Sequence, residues 1–521
     1  MSSIVFGKAM RVMRPGEDTV RPPAEPVVRT LGVDVAMLAL IALLVVVTQL
    51  GSMPREIIDW DETTFMLMAQ DMLRGHLPYT EAFDNKPPLT FVGAAVAMLL
   101  FGESLETMRW FGDLCIFASA ACIYLATKQS AGIAVAGAAA AAFVAAHVSE
   151  FGMHTSSEVI ANVGVAAALA LLITRRNHWL TAWLVGVLIS LAVLSRSNLA
   201  FVAVAIGIFY ATRLLSAQPR RYDVLKYVLG GLIIPILLFG VYAFHGSLNE
   251  LLLATVRVPL SYAAEQGSVL TTLSTLGERG LRAGRFGGAE IWYIYLSGAC
   301  LMLALVPFKG HGGLNRQLAL PAAVLIAIAA SIVLGGAFFQ HYLIQFYVPL
   351  AMLTALSVGT VPWKGDAYRM GAVAVITLAL AGSLPATIAY IRGETPALPV
   401  RAAADLIAKD RLPGETIWGP EAHLALFYLR EPPLSRAGVH PSTLVKPAIM
   451  RPLEEAGYVV ADELGRIMRS KPTYILTGRD GVVSFLWKDT AKQFADLIAA
   501  DYERISPSGY PEVYRHKAAA P

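Results

Sequence analysis

Apolar runs near bilayer-spanning length recur along this chain. The first is Val35–Leu50, and others follow at about 109–127, 131–148, 158–174, 179–194, 199–212, 227–244, 291–308, 318–337, 341–361 and 370–391. A bilayer core takes roughly 17–25 consecutive apolar residues to cross, so the pattern predicts a polytopic α-helical membrane protein with about eleven spans plus interfacial helices. The run 90–102, TFVGAAVAMLLFG, is short for a crossing and reads as an interfacial or re-entrant helix. After Ile391 the pattern changes. Helical periodicity at Arg401–Lys409 and Lys492–Ala500 alternates with the strand-like runs ETIWG, TYILTG and EVYRH, which predicts a small α/β domain over 392–521.

Basic residues assign the sides. With 90–102 kept out of the count, Lys128, Arg175/Arg176, Arg213/Arg220/Arg221/Lys226, Lys309/Arg316 and Lys364/Arg369 fall on the same side as the basic tail 1–32. The short loops 149–157 and 336–341 on the other side carry no Lys or Arg, and Arg196 is the exception there. Cytoplasmic loops collect Lys and Arg, so the tail is expected in the cytoplasm, the transmembrane domain over 33–391, and the loops 52–108 and 245–290 outside with the C-terminal domain.

Composition agrees with this and narrows the function. The chain has 521 residues, 56% of them hydrophobic and 15% charged, with a net charge of +4. So mild a charge argues against a nucleic-acid binder. Cys115, Cys122 and Cys300 all lie inside apolar runs without metal-ligand or pairing spacing, and read as packing residues.

The ionisable residues of this half concentrate in Ile58–Phe91. From Glu62, the positions Phe65, Met68, Ala69, Met72 and Leu73 trace one helical face, ended by Gly75 and Pro78. This predicts an amphipathic helix on the outer membrane surface, with Asp61 at the start of its inward face. Asp59 and Glu62 have the spacing of a capping box, so capping competes with chemistry for both. In FDNKPPL, Pro87 and Pro88 fit the start of a helix capped by Asp84 or Asn85. Lys86 then stands at the helix end where a cation is disfavoured, a conflict that a bound anion resolves; snorkelling or pairing with Asp84 are the plain alternatives.

Asp61-Glu62 with Phe65, a helix ending in R-G, and K-P-P-L further on resemble the GT-C membrane glycosyltransferases, nearest to the bacterial aminoarabinose lipid A transferases and the protein O-mannosyltransferases. The resemblance implies a GT-C fold and transfer of a sugar from a polyprenyl-phosphate donor to a periplasmic lipid A, O-antigen, other glycan or protein acceptor. It implies that Asp61 is the catalytic carboxylate, acting as general base, with Glu62 as a second catalytic candidate, and that Lys86 stands beside the donor phosphate. A phosphate ester is already a good leaving group, so one carboxylate suffices for an inverting displacement, while cations stabilise the departing phosphate. Further candidates for that phosphate are Arg109, Arg196 in LSRSN, and His341-Tyr342. An intramembrane cation such as Arg196 is costly and usually functional, with snorkelling the alternative. Glu158 sits at the outer mouth of a span, where capping with Ser156 is the alternative. Asp59-Trp60-Asp61 leaves a divalent cation open. Loop 245–290, with Arg257, Arg279, Arg282 and Arg285, reads as a lid or as a headgroup-binding segment. The rival class is a transporter or lipid flippase, but the halves show no inverted symmetry and the acids sit in an outer loop.

Overall fold

The structure, a computed structural model, describes residues 27–148, 155–175, 178–212, 221–265, 316–335, 339–360 and 398–519, with isolated residues between them. The expected span 291–308, most of 370–391 and the Gly-rich end of loop 245–290 lie outside the described residues.

Helices α1 (Val27–Gln49), α2 (Trp60–Leu73), α3 (Pro88–Phe101), α4 (Leu105–Ala131), α5 (Ile133–Ala146), α6 (Ser157–Thr174), α7 (Thr181–Ser195), α8 (Ala200–Thr212) and α9 (Arg221–Phe244) follow in order. Then come α10 (Leu248–Leu252), α11 (Val258–Glu265), α12 (Arg316–Gly335) and α13 (Ile344–Thr360). Among the described residues, six helical stretches are long and apolar enough to cross a membrane, and α3, α5, α7 and the Ser197–Thr212 stretch are apolar but shorter. Small residues let these helices approach closely: a Cβ on Gly186 of α7 would run into Tyr227 O of α9, and one on Gly230 of α9 into Trp183 O of α7.

The C-terminal region begins with α14 (Pro399–Asp410) and builds a four-stranded sheet from β1 (Ile417–Trp418), β2 (Tyr474–Thr477), β3 (Tyr502–Arg504) and β4 (Glu512–His516). The order is β1-β2-β4-β3, with β1 parallel to β2 and the other pairs antiparallel. Helices α15 (Leu424–Leu429), α16 (Pro447–Glu455), α17 (Glu463–Arg469) and α18 (Lys488–Asp501) complete it. The expected mixture of strands and helices is there, but no separate core goes with it. One continuous set of buried side chains runs from Phe65 and Phe91 of α2 and α3 to Trp418, Ile475 and Val513 of the sheet. Contacts divide the chain into Met1–Leu40 and Ile41–Pro521, so this layer falls in one unit with the helices from Ile41 onward.

That layer changes the reading of α2. The expected apolar face exists, yet Asp61 through Gln70 are all buried, opposite face included. The helix is enclosed because the C-terminal layer lies over its polar side. His423 Nε2 donates to Trp60 O at 3.2 Å, Gln70 Nε2 to Phe427 O at 3.4 Å, and Arg74 Nη2 to Arg430 O at 2.7 Å.

Both ends of α3 are tied to the same layer. Before its start, Phe83 N donates to Arg436 O at 2.7 Å. Just past its end, Glu103 accepts from Gln70 Nε2 at 3.0 Å and stands 3.6 Å from Arg430 Nη2. Pro88 opens α3 with Pro87, not Asp84 or Asn85, at the cap, and Gly102 at φ +94° closes it.

Candidate active site

Asp61 enters the site from the first turn of α2. Asp59 caps this helix by accepting from Asp61 N at 2.7 Å. Glu62 does not close the reciprocal half of a capping box. Its carboxylate meets Arg109 Nη2 at 2.6 Å and accepts from Thr155 N at 2.9 Å, both groups buried. Arg109 also donates to Ser52 O and Arg55 O, each at 3.1 Å. Glu62 and Arg109 thus hold α2 to α4 and are not among the cavity's walls.

Lys86 is placed by a clamped loop. Its own N–H donates to Asp84 Oδ1 at 2.9 Å, and its carbonyl accepts from Tyr79 Oη at 2.6 Å. Tyr79 has φ +72°, unusual for a side chain of that size. It is pinned there by Tyr458 Oη donating to its carbonyl at 2.6 Å and by Tyr242 Oη donating to Pro78 O at 3.0 Å. Arg436 donates to Thr80 O and lays its guanidinium 3.9 Å from the Tyr458 ring centre. The C-terminal layer therefore sets the position of a lysine from the segment between α2 and α3.

The lysine's ammonium lies 2.5 Å from Asp61 Oδ1 and 3.7 Å from Asp84 Oδ1. The same Asp61 oxygen is 3.4 Å from Nε2 of His440, whose Nδ1 is 3.0 Å from Ser442 Oγ. Burial pushes the Asp61 carboxyl up, but Lys86 and then His440 outweigh it and hold it well below its ordinary value. Burial pushes Lys86 down, and Asp61 and Asp84 overcome this, so its ammonium is held. His423, buried beneath Trp60, is pushed down to about 3 by burial and by His440 and stays neutral.

Opposite stands the turn after α7. Arg196 Nη2 meets Glu158 Oε1 at 2.9 Å, and its Nη1 donates to Ser157 Oγ at 3.1 Å. Its guanidinium lies 4.3 Å from the Tyr342 ring centre, and His341 Nε2 is 3.8 Å from the same Glu158 oxygen. Ser156 caps α6 by accepting from Val159 N at 3.3 Å, leaving Glu158 to the cations.

These groups border one cavity of about 700 Å³, which reaches from Asp61, Asp84 and Lys86 to Arg196, His341 and Tyr342. Asp59 is also on its wall, and α11 closes one side with Val256, Pro259 and Leu260 nearby. Of the candidates read from sequence, Asp59, Asp61, Asp84, Lys86, Arg196, His341 and Tyr342 come together here. Glu158 stands behind Arg196, and Glu62 and Arg109 form their own pair. Among the described residues no group of three His, Cys, Asp or Glu side chains is arranged to hold a metal ion.

Fold and family comparisons agree. Residues 85–243 match the family model described as dolichyl-phosphate-mannose-protein mannosyltransferase, a stretch with Lys86, Arg109, Glu158 and Arg196 but not Asp61. The crystal structure of ArnT from Cupriavidus metallidurans bound to undecaprenyl phosphate superposes with a TM-score of 0.66 at 14% identity, covering 94% of this chain and 99% of that one. The apo form of the same protein gives 0.63 at 14% identity, covering 95% and 100%. The chain has the GT-C fold. No curated protein matches it by sequence. The GT-C resemblance read from Asp61-Glu62 and K-P-P-L holds over nearly the whole chain.

The C-terminal wall of this GT-C cavity, with His440, Ser442, Thr443 and Lys446, was not singled out by sequence. A signal was present. Lys446-Pro447 opens α16 much as Lys86-Pro87-Pro88 opens α3.

Proposed function

We propose that this chain is a membrane glycosyltransferase that transfers a sugar from a polyprenyl-phosphate donor to an acceptor hydroxyl or phosphate. The observation that carries this reading is the Asp61–Lys86 pair at 2.5 Å on the wall of a cavity also bordered by Arg196. It is joined to a fold shared with an ArnT bound to undecaprenyl phosphate. In the free protein Asp61 is ionised but committed to Lys86. A donor phosphate arriving at the cavity competes for that ammonium. As Lys86 and Arg196 turn to the phosphate oxygens, Asp61 is released to accept the acceptor's proton. The acceptor oxygen then bonds to the anomeric carbon, the carbon–oxygen bond to phosphate breaks, and its electron pair stays on the phosphate, where the cations stabilise it. A single carboxylate acting once gives inversion. His341 and Tyr342 fix Arg196 and the acid behind it.

The membrane arrangement follows the same reading. The segments that the basic loops place outside the cytoplasm, 52–108, 245–290 and the region after 391, all contribute to this cavity. Its proposed place is the periplasmic face of the inner membrane, with α3 lying along that face.

The test is the purified full chain in lipid nanodiscs, given radiolabelled undecaprenyl-phosphate sugars with an envelope glycolipid extract as acceptor. Label leaving the prenyl carrier for a new product supports the reading. Movement of intact lipid-linked sugar across the bilayer without a covalent change would place the protein among the flippases instead.

A further inference from the structure

Lys446 differs from the other cations of the cavity. Lys86 is paired with Asp61 and Asp84, and Arg196 with Glu158. The Lys446 ammonium has no acidic partner among the described residues, although the residue lines the same cavity. Its placement is costly. Burial pushes its pKa down and the like charge of Lys86 pushes it further, while Asp61 and Asp84, already held by Lys86, offset this only in part. Nor does it serve its helix. Lys446 is the N-cap of α16, makes no side-chain capping bond there, and puts a positive charge at the end of the helix dipole that disfavours one.

The turn that carries it is itself fixed. Residues Pro441–Val445 form a 3₁₀ turn, with Lys446 N donating to Thr443 O at 3.1 Å and Lys446 O accepting from Ile449 N and Met450 N at 3.0 and 2.9 Å. A rigid backbone thus holds a charge where its surroundings penalise it, beside the groups that take a phosphate in the reading above.

We propose that Lys446 is a phosphate-binding residue of this cavity, supplied by the C-terminal layer. The phosphate belongs either to the donor carrier or to the acceptor. Its identity rests on the glycosyl-transfer reading, whereas the presence of an anion site does not. An incoming phosphate gives Lys446 the counter-ion it lacks, so ligand binding relieves a cost that the free protein carries.

Binding and thermal unfolding of the full chain in nanodiscs test this with two probes, undecaprenyl phosphate and glucose 1-phosphate, which has no prenyl chain. Lys446→Met is expected to leave the ligand-free melting temperature unchanged or higher, because it removes an unpaired charge. It is expected to weaken binding of at least one probe about tenfold or more, with Lys446→Arg restoring most of the loss. Weakening of undecaprenyl phosphate assigns Lys446 to the donor phosphate, and weakening of glucose 1-phosphate alone assigns it to the acceptor. Equal affinities of Lys446→Met and wild type for both probes overturn the proposal, as does a wild type that binds neither. A wild type that holds glucose 1-phosphate through Lys446 but ignores undecaprenyl phosphate keeps the anion site and overturns the polyprenyl reading.

Discussion

At the scale of single residues, two adjacent acids have opposite surroundings. Asp61 faces the cavity and shares its charge with Lys86 and His440, while Glu62 faces inward and is spent on Arg109 and Thr155. Glu62→Gln leaves a buried guanidinium without its counter-charge, which costs about 3–5 kcal/mol. A fall in melting temperature and in yield of folded protein is expected, and an unchanged melting curve would contradict the structural role. For Asp61 the sign of the pH effect follows from its neighbours. Its folded value lies well below the ordinary 3.8, so the pair's stabilising contribution is complete above that pH and is lost as pH falls through the folded value. Once a donor phosphate has taken Lys86, that support weakens and the carboxyl's pKa rises. The acid limb of kcat is therefore expected at higher pH than the acid limb of kcat/KM, since the first reports the donor complex and the second the free enzyme. Coincident limbs would mean that Lys86 never leaves Asp61. Sequence brought out Asp61 and Lys86 because each sits where its charge is locally awkward. It could not separate Glu62 from Asp61, because which way each carboxylate turns depends on Arg109, forty-odd positions away.

At the scale of elements, periodicity found α2 and α3 but not their surroundings. The apolar face of α2 was legible from Phe65, Met68 and Met72. Its burial on all sides was not, because the covering residues, such as His423 and Phe427, arrive more than three hundred positions later. For α3 the short length and the pattern of basic loops both pointed to a helix that does not cross, and the contacts at Phe83 and Glu103 tie both ends to one layer. Cysteine labelling tests this directly. With the native cysteines replaced by alanine, Glu81→Cys and Glu103→Cys are expected to react with a membrane-impermeant maleimide from the same side. Reaction from opposite sides would make α3 a span and reverse the sidedness of everything after it.

At the scale of the whole molecule, the C-terminal layer shares one core with α2 and α3 and walls the same cavity. Composition marked its beginning near residue 392, and alternating short strands and helices gave its class. Its lack of an independent core was not visible, because Trp418, Ile475 and Val513 are as apolar as the core of any small domain, and only packing shows that they continue the core of α2 and α3. The same holds for His440 and Lys446, which sit in an ordinary loop sequence until the fold sets them against Asp61 and Lys86. The cavity is therefore assembled from five separate stretches of the chain, with Asp61 on the first and Lys446 on the last.

The most direct measurement is turnover of radiolabelled undecaprenyl-phosphate sugar by wild type and Asp61→Asn in the same nanodiscs, with donor affinity measured alongside. The substitution is isosteric and keeps Asp84 beside Lys86, so the fold and donor binding are expected to persist. Turnover is expected to fall by roughly 10²–10⁴-fold, the usual contribution of a positioned general base. Wild-type turnover by folded, donor-binding Asp61→Asn would contradict the account at its centre.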